Sequence, residues 1–396
     1  MVIYADHAAT TPLSPLALDA MMPFLQGEFA NPSSLHTPGQ RAKEAVEDAR
    51  RTVAEALHAR PEEILFTSGG SEADNQALLS AARAGARKGK KRVISTAFEH
   101  HAVLHTLDKL EKEGFEIVLL PVHENGIVRV EEAEKAIDDN TAVVSVMFAN
   151  NEIGTIQPIA EIGALCRQKG VLFHTDAVQA VGHLAIDVQA MNIDLLSLSA
   201  HKFHGPKGVG ALYARRGIAL ESLIAGGAQE RGKRAGTENV AGIVGMAAAL
   251  REAEAHRENN AMYLTNMRDR LIRKLSAIEH SVLNGDAQRR LPGNVNFCFE
   301  GIEGESLLLL LDDDGIAASS GSACTSGNLD PSHVLLAIGR KHDIAHGSLR
   351  LTIGEDITEA QIDFLAERVT DAVRRIRAIS PVWRDLQEGK RPYVIQ

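Results

Sequence analysis

The chain has 396 residues, 44% of them hydrophobic and 24% charged, which excludes a disordered or fibrous protein and favours two packed domains over a single core. A net charge of −10 excludes the bulk positive field that drives non-specific binding to nucleic acid or anionic membranes. The start MVIYADHAATTPL lacks a basic head followed by an apolar stretch, and the longest aliphatic run, Leu307 to Leu311, is too short to span a bilayer, so the sequence reads as cytoplasmic.

From about residue 60 to 215 seven short β-rich segments alternate with amphipathic helices: EILFTS, KRVISTA, EIVLLPV, AVVSVMFA, VLFHTDA, DLLSLSA and GVGALYA. The alternation predicts an α/β fold with a mainly parallel seven-stranded sheet flanked by helices. Residues 239 to 279 read as one long helix joining two domains. Beyond it come strand NVNFCFE, helix GESLLLLLD, strand GIAAS, a Ser/Gly/Ala loop, helix PSHVLLAIG, strand SLRLTI and helix TEAQIDFLAERVTDAVRRIRAI. The expected division is a large domain over residues 15–260 and a smaller α+β domain made of 1–14 and 261–396, which carries the loop 319–330.

Sites in parallel sheets gather where strands end and loops begin. In LFTSGGSEADNQALL a strand, a small-residue turn and a helix start meet, so free backbone N–H groups and the Ser71 hydroxyl are aimed at an anion such as phosphate. The same Ser-x-x-Asp also reads as a helix N-terminal cap. Asp176, at the end of one strand, suits a protonated ring nitrogen, and Lys202, after the next, suits imine formation with an aldehyde. Together they point to an electron-sink cofactor. His100 follows a third strand, where an imidazole can stack on a planar cofactor and move protons near neutral pH. His101 and His105 have the spacing of a metal pair, but no carboxylate or cysteine at ligand spacing supports them, and no metal is expected.

Of the three cysteines, Cys166 sits in a helical pattern and Cys298 in a strand pattern, and both read as packing residues. Cys324 lies in AASSGSACTSGNLDPSHVL among small residues with nothing large to bury it, the setting of an exposed reactive thiol. Such a thiol is only about 3% thiolate at pH 7, so a neighbour must activate it, and His100 is the candidate. Arg350, on the alternating strand SLRLTI, needs a carboxylate partner, either from the protein or from an amino-acid substrate.

These residues stand in segments that closely resemble the NifS/IscS-type cysteine desulfurases, in the class V aminotransferase group of fold-type I pyridoxal-phosphate enzymes. The likeness runs in order through YADHAATTP, NPSSLH, FTSGGSEADN, EHHAV, ANNEIGTIQPI, HTDAVQAVG, LSAHKFHGPKGVGALY, QERGKRAGTENV, SSGSACTSG, SLRLTIG and SPVW. It implies that Lys202 carries pyridoxal phosphate as an imine, that Asp176 pairs with the ring nitrogen, that Gln179 meets the phenolic oxygen and that His100 stacks on the ring. Gly70, Ser71, Ser199 and His201 would hold the phosphate, and Thr237 would reach the phosphate of a neighbouring subunit in a homodimer. Asn151 and Arg350 would hold the substrate carboxylate, with help from Asn31.

The implied activity is sulfur removal from L-cysteine, giving L-alanine and a Cys324 persulfide for an iron–sulfur scaffold protein or other acceptor. The acceptor would dock near SPVWRDLQEGKRPYVIQ, unless that tail is merely a surface end. The SSGSACTSG loop resembles the long-loop branch rather than the SufS-like one. A selenocysteine lyase or a class V aminotransferase is the alternative; the aminotransferase would need no thiol.

Overall fold

A computed structural model describes residues 2–320 and 331–395. Strands run in chain order as β1 (Ile3–Tyr4), β2 (Ile64–Thr67), β3 (Arg92–Thr96), β4 (Glu116–Leu120), β5 (Thr141–Ser145), β6 (Leu172–Asp176), β7 (Leu195–Ser199), β8 (Gly210–Ala214), β9 (Ser281–Leu283), β10 (Asn294–Phe299), β11 (Ile316–Ala317) and β12 (Ser348–Thr352). β2 to β8 form one seven-stranded sheet in the order β2-β8-β7-β6-β5-β3-β4, from the seven segments read as strands. β4, β3, β5, β6 and β7 pair in parallel, and β8 runs antiparallel to both β7 and β2.

β5, β7 and β8 are buried at every position, because helices cover both faces of the sheet. The helix Gly70–Ala86 lies on one face and turns Ala73, Ala77, Ala81 and Ala82 inward, small side chains that bring its axis close to the strands. Fully buried Phe173, Phe203 and Tyr213 fill the core beneath the other helices. Burying side chains of this size stabilises the fold by about 1.5–3 kcal/mol each.

The chain beyond residue 280 builds a second, three-stranded sheet, β12-β10-β9, on its own apolar core against the helix Glu359–Ile379. β9 had no counterpart in the sequence reading. The N-terminal residues join this part, β1 pairing in parallel with β11. The helix Val240–Leu275 packs Ile243 to Leu250 on the first core and Leu264 to Leu275 on the second, close to the 239–279 read from sequence. Among the described residues no helix is long and apolar enough to cross a membrane.

Candidate active site

Because β3, β5, β6 and β7 are parallel, their C-terminal ends open on the same side of the sheet. A cavity of roughly 300 Å³ lies there. Ten residues singled out from the sequence line it: Gly70, Ser71, His100, Asn151, Asp176, Gln179, Ser199, His201, Lys202 and Arg350. Asn31 and Thr237 are exposed and lie outside it, Asn31 accepting the Ser33 N–H at 2.9 Å. Cys324 falls outside the described residues.

The anion-binding turn is built by backbone. Gly69 adopts φ 154° and ψ −175°, a conformation essentially reserved for glycine, and is the N-cap of the helix Gly70–Ala86 without any side-chain cap bond. A Cβ on Gly70 would come within 2.6 Å of Val178 Cγ2, so any larger residue there requires Val178 to shift. The first-turn N–H groups and the Ser71 hydroxyl thus remain for a ligand. The capping alternative for Ser71 and Asp74 does not hold: both are inside the helix, and Asp74 lines the cavity from its second turn. Ser199 and His201 approach from β7 and the 3₁₀ turn Ala200–Lys202 that follows it. Burial and the charge of Lys202 push His201 down to about 4, so its ring is neutral at physiological pH, with Nδ1 3.1 Å from Thr10 Oγ1.

Asp176 Oδ1 accepts the Val178 N–H at 2.9 Å in a local turn and caps no helix. Burial raises its carboxyl above the usual range, against the pull of His100, the Val178 N–H and Lys202. His100 is the N-cap of the helix His101–Lys112, and its Nδ1 accepts the Ala102 N–H at 3.1 Å. An amide N–H only donates, so Nδ1 carries the lone pair and the ring proton sits on Nε2. Burial lowers the His100 pKa and keeps this neutral form. Lys202 Nζ donates to the carbonyls of Ala8 and Ala9 at 2.6 and 2.7 Å, and Gln179 Nε2 to Ala8 at 3.0 Å.

Arg350 reaches the cavity from β12 and is 2% exposed. Its Nη2 donates to Asp6 Oδ1 at 2.9 Å and its Nη1 to the Asn151 carbonyl at 3.4 Å, while the buried Nε has no hydrogen-bond partner among the described residues. Described residues on either side of 321–330 are held by hydrogen bonds. Ser319 exchanges backbone hydrogen bonds with Arg350, at 3.2 and 2.7 Å, while Ser332 Oγ donates to Glu152 at 2.5 Å and His333 Nε2 to the Glu99 carbonyl at 2.9 Å.

The described cysteines, Cys166 and Cys298, are buried, and burial pushes their thiols up to about 12 and about 11, as packing residues require. The sequence reading missed Asp6, Asp74, Glu99 and the Ala8 and Ala9 carbonyls. Only Asp74 carried a local signal, lying three residues after Ser71 and hence on the same helix face.

The groups present fit pyridoxal phosphate. A turn with free N–H groups suits a phosphate, a buried carboxyl faced by His100 and Lys202 suits a ring N–H, and Arg350 at the cavity wall suits a substrate carboxylate. The aminotransferase class-V family profile matches residues 3–365. A cysteine desulfurase IscS from Clostridium botulinum is 55% identical over 391 residues, 98% of each chain. One from Methanosarcina thermophila is 52% identical, over 96% of this chain and 94% of that protein. Among solved structures a NifS-like protein superposes with a TM-score of 0.89 at 37% identity, over 95% of this chain and 100% of the other. SspA in complex with cysteine superposes with a TM-score of 0.79 at 36% identity, over 89% and 99%.

Proposed function

The chain belongs to the class-V aminotransferase family, and within it to the cysteine desulfurases; from that premise we propose that it uses pyridoxal phosphate to take sulfur from L-cysteine, releases L-alanine and holds the sulfur on Cys324. The observation that carries this reading is the single cavity in which an anion-binding turn, Asp176, His100, Lys202 and Arg350 face a common space.

Pyridoxal phosphate, when bound, supplies an aldehyde that joins an amine and a ring that takes up the electron pair left at the substrate Cα. Gly70, Ser71, Ser199 and His201 would hold its phosphate, Asp176 its ring nitrogen, Gln179 its phenolic oxygen and His100 its ring. Arg350 and Asn151, which line the cavity, orient the substrate carboxylate. Lys202 Nζ removes the Cα proton, and the ammonium formed is received by the Ala8 and Ala9 carbonyls. His100 presents Nε2–H as a hydrogen-bond donor toward the sulfur, which favours the thiolate form of Cys324. The Cys324 sulfur bonds to the substrate sulfur as the substrate C–S bond breaks, and carbon regains its protons. L-cysteine and a thiol become L-alanine and a persulfide, with no outside oxidant or reductant.

The protein works as a cytoplasmic homodimer in which Thr237 reaches the neighbouring subunit's phosphate. The division into residues 15–260 and 1–14 with 261–396 is supported by one apolar core built wholly from residues 3–5 and 264–376, while Val334, Leu335 and Ile344 pack on the core of the large sheet. An iron–sulfur scaffold protein or another acceptor collects the sulfur.

The test is release of alanine and sulfide from L-cysteine plus a reductant, with the visible absorbance recorded, for the wild type and Cys324→Ala. A yellow wild type that yields both products and a yellow, inactive variant are expected. An unchanged variant would remove the persulfide step, and a colourless protein that takes up no pyridoxal phosphate would remove the cofactor assignment.

A further inference from the structure

The cavity contains a second carboxyl besides Asp176. Asp74 lines it, is 1% exposed, and its Oδ1 makes no hydrogen bond. It hangs from the helix Gly70–Ala86 over the sheet face formed by β5, β6 and β7. Alternation puts His174 and Asp176 on one face of β6, and the register sets Ser145 beside His174 and Ser197 beside Asp176. Ser145 Oγ is 2.8 Å from His174 Nδ1, and His174 Nε2 is 3.1 Å from Ser197 Oγ and 3.6 Å from Asp74 Oδ1.

An ionised Asp74 would need a cation or several donors, and its surroundings supply neither. His174 is wholly buried, and burial pushes it down to about 3, so it is neutral. The other charged groups facing Asp74 are carboxyls: Asp176 from β6, and Glu99 from the turn before the helix His101–Lys112, itself raised to about 8 by burial. Among the described residues the one donor to it is the Ser197 hydroxyl. A buried carboxylate so placed is strongly disfavoured, and binding a proton removes that penalty. Burial, then the charge of Asp176, accordingly hold the Asp74 carboxyl well above the usual range. Asp176 has what Asp74 lacks, the Val178 N–H and the facing His100 and Lys202. Two carboxyls in one cavity thus have environments that drive their protonation apart.

We propose that Asp74 is a positioning residue that stands at pH 7 as a neutral carboxylic acid, tied to the Ser197–His174–Ser145 chain, and leaves Asp176 as the one negative charge on this wall. The inference rests on Asp176 being the partner of a cofactor ring nitrogen. A single charge there matches a single ring N–H; an ionised Asp74 would add a second charge and draw protons more strongly to every basic group in the cavity.

The test uses the purified full-length protein, with and without added pyridoxal phosphate, and Asp74→Asn, a neutral side chain of nearly the same shape. The infrared difference spectrum, wild type minus variant at pH 7, is expected to show a protonated-carboxyl band in both forms, and a carboxylate band would overturn the proposal. Pyridoxal phosphate affinity, titrated by absorbance, is expected to stay within about threefold in Asp74→Asn, whereas a loss of tenfold or more would overturn it. Ser197→Ala gives an independent variant: deprived of its donor, a protonated Asp74 shifts its band to higher frequency, and an unmoved spectrum contradicts the proposal. If the protein binds no pyridoxal phosphate, the cofactor assignment falls while the infrared bands still decide the state of Asp74.

Discussion

Arg350 is a buried cation whose partners are set before any substrate arrives. Asp6 takes one arm of its guanidinium and the Asn151 carbonyl another, while the side chain lines the cavity. The sequence left open whether a protein or a substrate carboxylate meets this arginine, and in the substrate-free structure the carboxylate is the protein's own Asp6. Charge-assisted hydrogen bonds contribute about 1.5–3 kcal/mol each, so Arg350→Gln is expected to raise KM for L-cysteine about 10–100-fold. Pyridoxal phosphate affinity should change little, and steady-state kinetics beside an absorbance titration separate the two; a fall confined to kcat would count against a carboxylate-binding role. Asp6→Asn removes the internal competitor. It should lower KM while destabilising the substrate-free protein by about 1–3 kcal/mol, because a buried guanidinium loses its counter-charge. Asp6 was not legible in the sequence, since its partner lies 344 residues away and no local pattern records the pairing.

At the scale of elements, the edge strand β2 has its open side closed by a loop from far along the chain. Glu230 accepts the Phe66 N–H at 2.9 Å and takes the Arg50 guanidinium with both oxygens, at 2.7 and 2.8 Å. An uncovered edge N–H is a template for unwanted pairing, and here a carboxylate occupies it. The loop adopts left-handed backbone at Glu230 and Arg231, with φ of 45° and 59°. It is also tied to the helix Gly70–Ala86, by Arg234 to Glu72 at 3.1 Å and by Gln76 to the Lys233 carbonyl at 2.7 Å. Glu230→Ala strands Arg50 and should cost about 3–5 kcal/mol in denaturant unfolding, with faster amide exchange at Phe66 and through residues 229–237. A loss below about 1 kcal/mol would mean that the loop does not hold the edge. The seven strands of this sheet were legible because each is a short apolar run between turn signals, and parallel topology carries their end residues to one side. The Arg50–Glu230 clamp was not, because it is a long-range ion pair between residues that each read locally as solvated charge.

For the whole molecule, the cavity depends on how the two sheets sit together, because Lys202 follows β7 while Arg350 belongs to β12. One ion pair spans the parts just behind both residues, His204 Nε2 to Glu355 Oε2 at 3.2 Å. Burial alone would pull His204 down and Glu355 up, but their mutual hydrogen bond and charge outweigh it, raising His204 above its usual value and holding Glu355 at about 2. The signs set a window. The raised His204 contributes stability that is fully present below its unfolded value of about 6.5 and lost as pH climbs through its folded value. The depressed Glu355 contributes stability present above about 4.3 and lost as pH falls toward 2. The pair therefore works best between about pH 4.5 and 6.5 and weakens on the alkaline side. Glu355→Gln should destabilise the protein by about 1 kcal/mol at pH 6, in keeping with a pair partly open to solvent, and by much less at pH 9. Denaturant melts of wild type and variant at the two pH values check this. An equal loss at both would mean that Glu355 acts through packing rather than charge, and that the two parts of the cavity are not held together by this pair.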